Sequence, residues 1–343
     1  MAGVAPSGSP RQPGIRVSNP YEGRHFLKRV LFHKRLFGAA VDHAVVRLMG
    51  GAYVRLLQKE PDRLFSWVEI ETVNRCNSTC SFCPVNKKDD PREFAYMPDW
   101  LFHKVIDELA ALKFAGRLAL YSNNEPLLDD KIVERVAYAK ASCPQATVYI
   151  LTNGTRMTTE IAWQLLQAGI DYIKIDNYSD KLKLHRNIEK LIVDFEKPPY
   201  AEHADRIFIV KRRLTEVLSN RGGTAPNKEA EEQEKTYKYY HNASCGYPFT
   251  QLVIRPDGKV SLCCNDALGK ATMGDVSRRS LVEVWRGKAF RQLRADLTTN
   301  GRKDLSICNT CDVYTHDPDM LLKHSRLLRA ANNVFHLRAR HWK

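Results

Sequence analysis

Residues 76–83 are Cys-Asn-Ser-Thr-Cys-Ser-Phe-Cys, and they decide how the fold of this chain is interpreted. Cys76, Cys80 and Cys83 have the spacing C-x3-C-x2-C and follow a β-rich run at 67–73. A loop can turn three thiolates towards one metal centre, whereas a strand would point alternate side chains apart. Three thiolates leave one iron of a cubic iron–sulfur cluster open for a further ligand. The alternatives are a zinc knuckle with a distant fourth ligand and three thiols that are near one another by coincidence.

On either side of this loop, β-rich runs alternate with amphipathic segments. The β-rich runs are 67–73, 117–121, 147–152, 171–176 and 206–211, and helices are predicted near 99–113, 129–141, 158–168 and 181–196. This alternation predicts βαβ units and a parallel sheet. Right-handed crossovers would curl such a sheet into a partial barrel. The predicted fold class is therefore α/β, a partial (β/α)6 barrel with a helical N-terminal extension and a small C-terminal module of a β-hairpin and a helix.

A second group of cysteines lies in the C-terminal third of the chain: Cys245, Cys263, Cys308 and Cys311. A hairpin with the turn Pro-Asp-Gly at 256–258 would bring the first two together. The C-x2-C pair would complete a set of four. On spacing alone, a four-cysteine zinc site and an iron–sulfur cluster both remain open. Cys143 belongs to neither group, and we expect it to be structural.

The triplet at the end of the first predicted strand resembles the signature of the radical S-adenosylmethionine superfamily, in which an aromatic residue, here Phe82, precedes the third cysteine. The resemblance implies a [4Fe–4S] cluster whose open iron binds S-adenosylmethionine. It also implies a 5′-deoxyadenosyl radical that abstracts hydrogen from a small-molecule substrate. Radical formation would consume an electron from an external one-electron reductant, a flavodoxin or a ferredoxin.

Further segments resemble motifs of the same family. The run SNNEP at 122–126 resembles the Gly-Gly-Glu-Pro segment that holds the methionyl amino group, which implies cofactor-binding roles for Asn124 and Glu125. We expect the two asparagines to preserve the turn because Asn tolerates left-handed backbone conformations. Asn153 lies in a Thr-Asn-Gly turn typical of the family. Asn177 lies at the end of the next strand, where related enzymes have polar contacts to the ribose or carboxylate of S-adenosylmethionine, and the resemblance implies the same role for it. For Asn153 and Asn177, turn chemistry alone is the alternative.

The C-terminal module resembles the twitch module, the shorter relative of the SPASM domain, which binds one auxiliary [4Fe–4S] cluster. The intervals among its four cysteines are similar to those of radical S-adenosylmethionine dehydrogenases that act on aminocyclitols. Because no cysteine follows Cys311, a second auxiliary cluster is not expected. Four protein ligands would leave no open iron, which implies electron transfer. Cys264 is either a catalytic hydrogen donor, as in radical epimerases, or a packing residue.

These features divide the chain into six predicted segments. They are a disordered lead-in (1–22), a basic helical extension (23–63), the radical S-adenosylmethionine core (64–225), a linker (226–242), the twitch or SPASM-like domain (243–315) and a basic helical tail (316–343).

The charge is concentrated at the two ends of the chain. The formal net charge is +14, but residues 1–63 carry eleven basic and four acidic residues, and the segment after Asp319 carries six basic residues and no acidic one. The body is thus nearly neutral, and it has no interleaved aromatic platforms, so nucleic acid is not an expected partner. The basic helices either pack on the barrel or dock on an anionic membrane surface. We expect a cytoplasmic protein, with peripheral membrane association under the second interpretation.

The combined expectation is a radical oxidoreductase with two [4Fe–4S] clusters that oxidises a small polar metabolite, such as a sugar or an aminocyclitol. Two alternatives keep the same cofactors. In one, Cys264 returns a hydrogen atom and the enzyme is an epimerase; in the other, the substrate is a ribosomal peptide.

Overall fold

The computed structural model describes residues 14–20, 63–216, 218–226 and 245–313. In these ranges nine strands form one sheet: β1 Arg16–Ser18, β2 Trp67–Ile70, β3 Arg117–Ala119, β4 Thr147–Thr152, β5 Tyr172–Tyr178, β6 Ile207–Arg212, β7 Gln251–Ile254, β8 Lys259–Ser261 and β9 Thr272–Asp275.

The α-helices of the same ranges are α1 Asp99–Ala111, α2 Ile132–Ser142, α3 Thr159–Gln167, α4 Arg186–Asp194, α5 Tyr247–Thr250, α6 Leu281–Trp285 and α7 Lys288–Thr299. Two short 3-10 helices cover Pro126–Leu128 and Ala201–Arg206.

The sheet confirms the predicted parallel core. Its strand order is β1-β6-β5-β4-β3-β2-β7-β8-β9, and every pairing from β1 to β7 is parallel. Strands β2 to β6 follow one another in the chain, with α1, α2, α3 and α4 between successive strands. The edge strands β1 and β9 do not pair with each other, so the barrel is unclosed.

One detail differs from the sequence expectation. Residues 16–18, placed in the disordered lead-in, form β1, because their backbone pairs with residues 208–210 of β6. The described βα series has the five consecutive strands and four intervening helices that the sequence predicted, and β7 adds a sixth parallel strand beside β2. These five strands are flanked by β1, which pairs with β6, and by β7 of the C-terminal module, which pairs with β2.

The C-terminal module is joined directly to the core sheet. Strand β7 pairs in parallel with β2 over four residues, and the predicted hairpin with β8 is present. The one helix expected in this module is two helices, α6 and α7, because Gly287 adopts an extended N-cap conformation before α7. A capping box of Ser280 and Glu283 begins α6.

One hydrophobic core connects the two modules. Phe65, just before β2, packs edge-on against Trp285 of α6 with ring centroids 5.4 Å apart. The indole of Trp285 also donates a hydrogen bond to the carbonyl of Arg63 at 3.0 Å. Phe290 of α7 lies 5.1 Å from Trp285 and is fully buried. The C-terminal module is therefore an extension of the barrel core.

No helix within the described ranges has the length and apolar character needed to span a bilayer. The predicted basic extension up to residue 62, the linker from 227 and the basic tail lie outside the described residues.

We predict that Phe290→Ala lowers the free energy of unfolding by about 3–5 kcal/mol, because it removes a fully buried ring from the shared core. Phe94→Ala is the matched control, since Phe94 is 54% exposed and has one ring neighbour, Tyr96. We expect Phe94→Ala to lower the free energy of unfolding by about 1 kcal/mol or less. Denaturant unfolding followed by circular dichroism measures both. Equal losses would show that α7 does not contribute to the common core.

Candidate functional site

The cysteine triplet lies in the long loop between β2 and α1. The backbone N–H of Ser78 donates to Cys76 Sγ at 3.4 Å, and the Ser78 hydroxyl lies 3.0 Å from Cys80 Sγ. Burial, together with the neighbouring thiolates, raises the pKa of Cys76 to about 12 and that of Cys80 to about 11. The three thiols are therefore close enough to influence one another, and a bound cation would favour their deprotonated form.

The turn after β4 holds this loop through side-chain hydrogen bonds. Asn153 Nδ2 donates to Asn77 Oδ1 at 2.8 Å and lies 3.8 Å from Cys76 Sγ. Asn77 in turn donates to the hydroxyl of Thr155 at 2.9 Å. Asn153 Oδ1 accepts from the backbone N–H of Thr155 at 2.9 Å. The side chain of Asn153 therefore stabilises its own turn and also contacts the cysteine loop.

Glu125 connects the turns that follow β3 and β4. Its carboxylate accepts from the Thr152 hydroxyl at 2.5 Å and from the N–H groups of Asn153 and Leu127 at 2.7 and 3.1 Å. Its own N–H donates to the carbonyl of Arg75, next to the first cysteine, at 2.8 Å. Burial raises the pKa of this carboxyl group. Glu125 thus fixes the cysteine loop between two strand ends.

Asn124 has a polar atom that the fold leaves unused. Its Oδ1 accepts from the Ser122 N–H at 2.9 Å, while its Nδ2 is buried without a hydrogen-bond partner among the described residues. Neither Asn123 nor Asn124 has a positive φ, so the turn does not use the left-handed conformation expected for them. An unused buried donor is costly unless a ligand accepts from it.

Two other residues predicted to bind the cofactor, Phe82 and Asn177, contact other residues of the chain. Phe82 is buried, and its ring lies 5.7 Å from that of Tyr178. Asn177 is fully buried; its Nδ2 donates to the carbonyl of Lys183 and its Oδ1 accepts from the N–H of His185, each at 2.9 Å. Both hydrogen bonds of the Asn177 side chain thus join the end of β5 to the segment before α4.

The second cysteine group lines one small, partly open cavity. Cys245, Cys263, Cys308 and Cys311 are all buried and all line it, together with Tyr247 and other side chains. In the described ranges, no three Cys, His, Asp or Glu side chains are placed to bind one metal ion directly. A [4Fe–4S] cluster does not require such a group, because each thiolate binds a different iron atom.

A hydrogen-bonded network connects the core with the C-terminal module. Glu69 of β2 is 3% exposed; its carboxylate accepts from Ser122 Oγ at 2.5 Å and from Gln251 Nε2 at 2.9 Å. Gln251 Oε1 accepts from the N–H of Cys264 at 3.1 Å, and the carbonyl of Cys264 accepts from Asn123 Nδ2 at 3.1 Å. Burial raises the pKa of Glu69 to about 7.

Arg221 extends this network towards the triplet. Its guanidinium donates to Asn123 Oδ1 at 3.3 Å. Although burial opposes its charge, Cys83, Cys264 and other nearby groups hold the pKa of Arg221 above its usual range. Arg221 has φ +50°, an uncommon conformation for a residue with a side chain. Such strain persists where the surroundings enforce it and is frequent at functional sites.

The strained turn is held by the segment that carries the last two cysteines. Asn220 and Asp312 exchange backbone-to-side-chain hydrogen bonds of 2.9 and 3.1 Å. A Cβ atom on Gly222, which has φ +62°, would lie 2.6 Å from the Ile307 side chain. The C-terminal module therefore positions Arg221.

Charged side chains also occupy the ends of β5 and β6. Asp176 lies 3.7 Å from both Lys174 Nζ and Arg212 Nε, and Arg212 also pairs with Glu216 at 3.1 Å. Burial lowers the pKa of Lys174. Sequence reasoning did not single out Glu69, Arg221 or these residues. A usable signal was present for Glu69, a carboxylate within the apolar strand WVEI, and for Arg221, which precedes two glycines.

Two family models match this chain. The radical SAM superfamily matches residues 70–194, and the SPASM iron–sulfur cluster-binding domain matches residues 245–312. The chain is 28% identical over 253 residues to the S-adenosyl-L-methionine-dependent 2-deoxy-scyllo-inosamine dehydrogenase of Niallia circulans, covering 73% of this chain and 94% of that protein. It is 31% identical over 113 residues to GTP 3′,8-cyclase of Chlorobaculum tepidum, covering 33% of each chain.

Solved structures show the same fold. BtrN in complex with AdoMet and 2-DOIA has a TM-score of 0.60 and 25% identity, covering 73% of this chain and 94% of that chain. BtrN in an open conformation has a TM-score of 0.53 and 22% identity, covering 74% of this chain and 94% of that chain.

We predict that replacing Cys76, Cys80 and Cys83 together with alanine removes about four irons per chain after anaerobic reconstitution and abolishes reductive cleavage of S-adenosylmethionine. Cys143→Ala is the control, because Cys143 caps the C-terminus of α2, is buried in the hydrophobic core and has its thiol 3.8 Å from the carbonyl of Ile106. Iron and sulfide analysis and 5′-deoxyadenosine assays measure the outcome. Cleavage by the triple variant at the rate of the unaltered chain would overturn the assignment of the triplet.

Proposed function

Because this chain belongs to the radical S-adenosylmethionine superfamily and carries a C-terminal SPASM domain, we propose that it is a dehydrogenase that oxidises a carbinol carbon of a small polar metabolite of the sugar or aminocyclitol class. The observation that carries the proposal is the Glu69–Gln251–Cys264 network, with Arg221 beside it, between the two cysteine groups. The dehydrogenase of Niallia circulans, whose named substrate is an aminocyclitol, supports the substrate class.

The residues present fit the cofactors that the family implies. The three thiols of the triplet are the donor set for a cluster with an open iron. The unused Nδ2 of Asn124, next to that loop, suits an anionic acceptor such as the carboxylate of S-adenosylmethionine. The cavity lined by the other four cysteines suits an auxiliary cluster. When bound, these groups supply a radical that removes a hydrogen atom from substrate and an acceptor for the remaining electron.

The barrel interior supplies partners for a substrate rich in hydroxyl and amino groups. Glu69, Asp176, Lys174, Arg212 and Arg221 offer carboxylate acceptors and cationic donors within a largely buried space. A site that hydrogen-bonds a polar substrate rejects an apolar analogue strongly, since its own groups would then remain unpaired. This composition favours a polyol or amino-polyol over a hydrophobic peptide segment.

The reaction also requires a proton acceptor, and Glu69 is our candidate. Oxidation of a carbinol to a ketone releases the hydroxyl proton as well as the carbon-bound hydrogen. A carboxylate whose pKa is near 7 is well matched to accept that proton at neutral pH. The cation of Arg221 nearby favours the ionised carboxylate. We also propose that a flavodoxin or ferredoxin provides the electron for radical formation.

We predict that Glu69→Gln lowers product formation from 2-deoxy-scyllo-inosamine by about 10²–10⁴-fold, while 5′-deoxyadenosine still accumulates, because only the proton acceptor is lost. In the unaltered enzyme, product formation should fall as pH decreases through about 7, since protonation removes the acceptor. Ser122 and Gln251 donate hydrogen bonds to Glu69. The charged and titratable groups near it include Arg221, Arg117, Glu71 and Cys264, and the hydroxyls of Tyr121, Tyr149 and Tyr247.

Glu71→Gln is the control for Glu69→Gln. The pKa of Glu71 is also raised to about 7 by burial, but its carboxylate pairs with Arg92 at 3.1 Å rather than with the network. We expect the pH dependence to survive in this control but to move to lower pH, because the charge of Glu71 contributes to raising the pKa of Glu69. A Glu69→Gln variant with the product yield and pH profile of the unaltered enzyme would exclude Glu69 as the acceptor.

Epimerisation is the second candidate, and the position of Cys264 favours it. Unlike the buried Cys263, Cys264 is partly exposed, and it adjoins the network through its backbone. We predict that the product from 2-deoxy-scyllo-inosamine lacks two hydrogen atoms and that Cys264→Ala reduces its yield only slightly. Mass spectrometry with deuterated substrate distinguishes the two reactions. Normal deuterium transfer to 5′-deoxyadenosine with no product from Cys264→Ala would identify an epimerase, together with a product of unchanged mass when the unaltered enzyme converts unlabelled substrate.

A further inference from the structure

Arg302 is a buried cation at the wall of the four-cysteine cavity. It lies in the loop after α7, is 1% exposed, and lines the same cavity as Cys245, Cys263, Cys308 and Cys311. In the described part of the chain, no carboxylate forms an ion pair with it. A guanidinium is almost never buried without an anionic partner, because removing its charge from water is costly.

The hydrogen bonds of Arg302 are incomplete. Its Nη1 donates to the carbonyl of Cys311 at 3.1 Å, while Nε and Nη2 are buried without a hydrogen-bond partner among the described residues. Although burial opposes its charge, thiolates at all four cysteines raise the pKa of Arg302. The protein has therefore placed a permanent cation with unused N–H donors beside four sulfur atoms.

A cluster held by four thiolates satisfies what Arg302 lacks. Such a cluster is an anion, and its sulfur atoms accept hydrogen bonds. Reduction adds a further negative charge, so a nearby cation stabilises the reduced form more than the oxidised form. Net charge and hydrogen bonds to sulfur are among the factors that set the reduction potential of a cluster.

We propose that Arg302 is a positioning residue for the auxiliary [4Fe–4S] cluster, which it holds through its unused N–H groups and whose reduction potential its charge raises. The proposal rests on the proposed function only in that the four cysteines hold a cluster. A higher potential makes the cluster a better acceptor for the electron that remains on an oxidised substrate. Arg302 would thus act on the reaction without touching the substrate.

The test is the reduction potential of the auxiliary cluster in the full-length chain. Cys76, Cys80 and Cys83 are replaced with alanine so that the remaining cluster alone gives the electron paramagnetic resonance signal. Arg302→Met removes the charge at similar length, and Arg302→Lys retains it. Arg294→Met is the matched control, because Arg294 is a partly buried arginine of α7 that lies 3.9 Å over the Trp285 ring and does not line the cavity.

We expect Arg302→Met to lower the equilibrium constant for reduction at least tenfold, a shift of about 59 mV to more negative potential for one electron. Arg302→Lys should recover more than half of this shift, and Arg294→Met should leave the potential unchanged. Loss of iron from Arg302→Met that Arg302→Lys restores would equally support the proposal, because the charge then retains the anionic cluster.

Either of two results would overturn the role of Arg302. The first is an Arg302→Met chain with full iron content and an unchanged potential. The second is iron loss in both Arg302 variants, which would assign Arg302 to packing of the loop. Failure of the proposed function is distinguishable, because no substrate enters this measurement. If the parent chain with the triplet replaced bound no iron, the cluster assignment itself would fail.

Discussion

The parallel pairing of β2 with β7 is the contact on which the site depends. It continues the core sheet into the C-terminal module and places Gln251 at the same level as the first residue of β2. From there Gln251 reaches Glu69 with one side-chain atom and the backbone of Cys264 with the other. Without this pairing, the residues that carry the second cysteine group would have no fixed position relative to the triplet.

The buried charges of the interior are expensive unless they serve a ligand. Glu69, Asp176 and Lys174 lie inside a sheet whose alternate residues form an apolar core, and each charge loses hydration there. Replacement by apolar residues of similar volume often stabilises such positions. These buried charges and the strained backbone at Arg221 lower the stability of the fold, and such features are typical of a functional site.

The two cysteine groups are supported in different ways. The loop of the triplet is held by hydrogen bonds from side chains of neighbouring turns. Asn153 bonds to Asn77 of this loop, and Glu125 connects the turns that follow β3 and β4. The four-cysteine cavity is lined by residues of its own module, including a cation, Arg302. Three thiolates leave a position for an exchangeable ligand, whereas a buried set of four thiolates next to a positive charge suits a centre that only exchanges electrons.

The sequence by itself determined the class of this fold and both cysteine groups, because βα periodicity and loop spacing are local properties of the chain. It also indicated the turns at Glu125 and Asn153, whose motifs lie within a few residues. It did not indicate that residues 16–18 join the sheet, or that Glu69, Arg221 and Arg302 matter. Only the tertiary structure decided these points, because the hydrogen-bond partners of Glu69 and Arg221 come from distant parts of the chain. The energetic cost of burying a charge likewise depends on the groups that surround it in the folded protein.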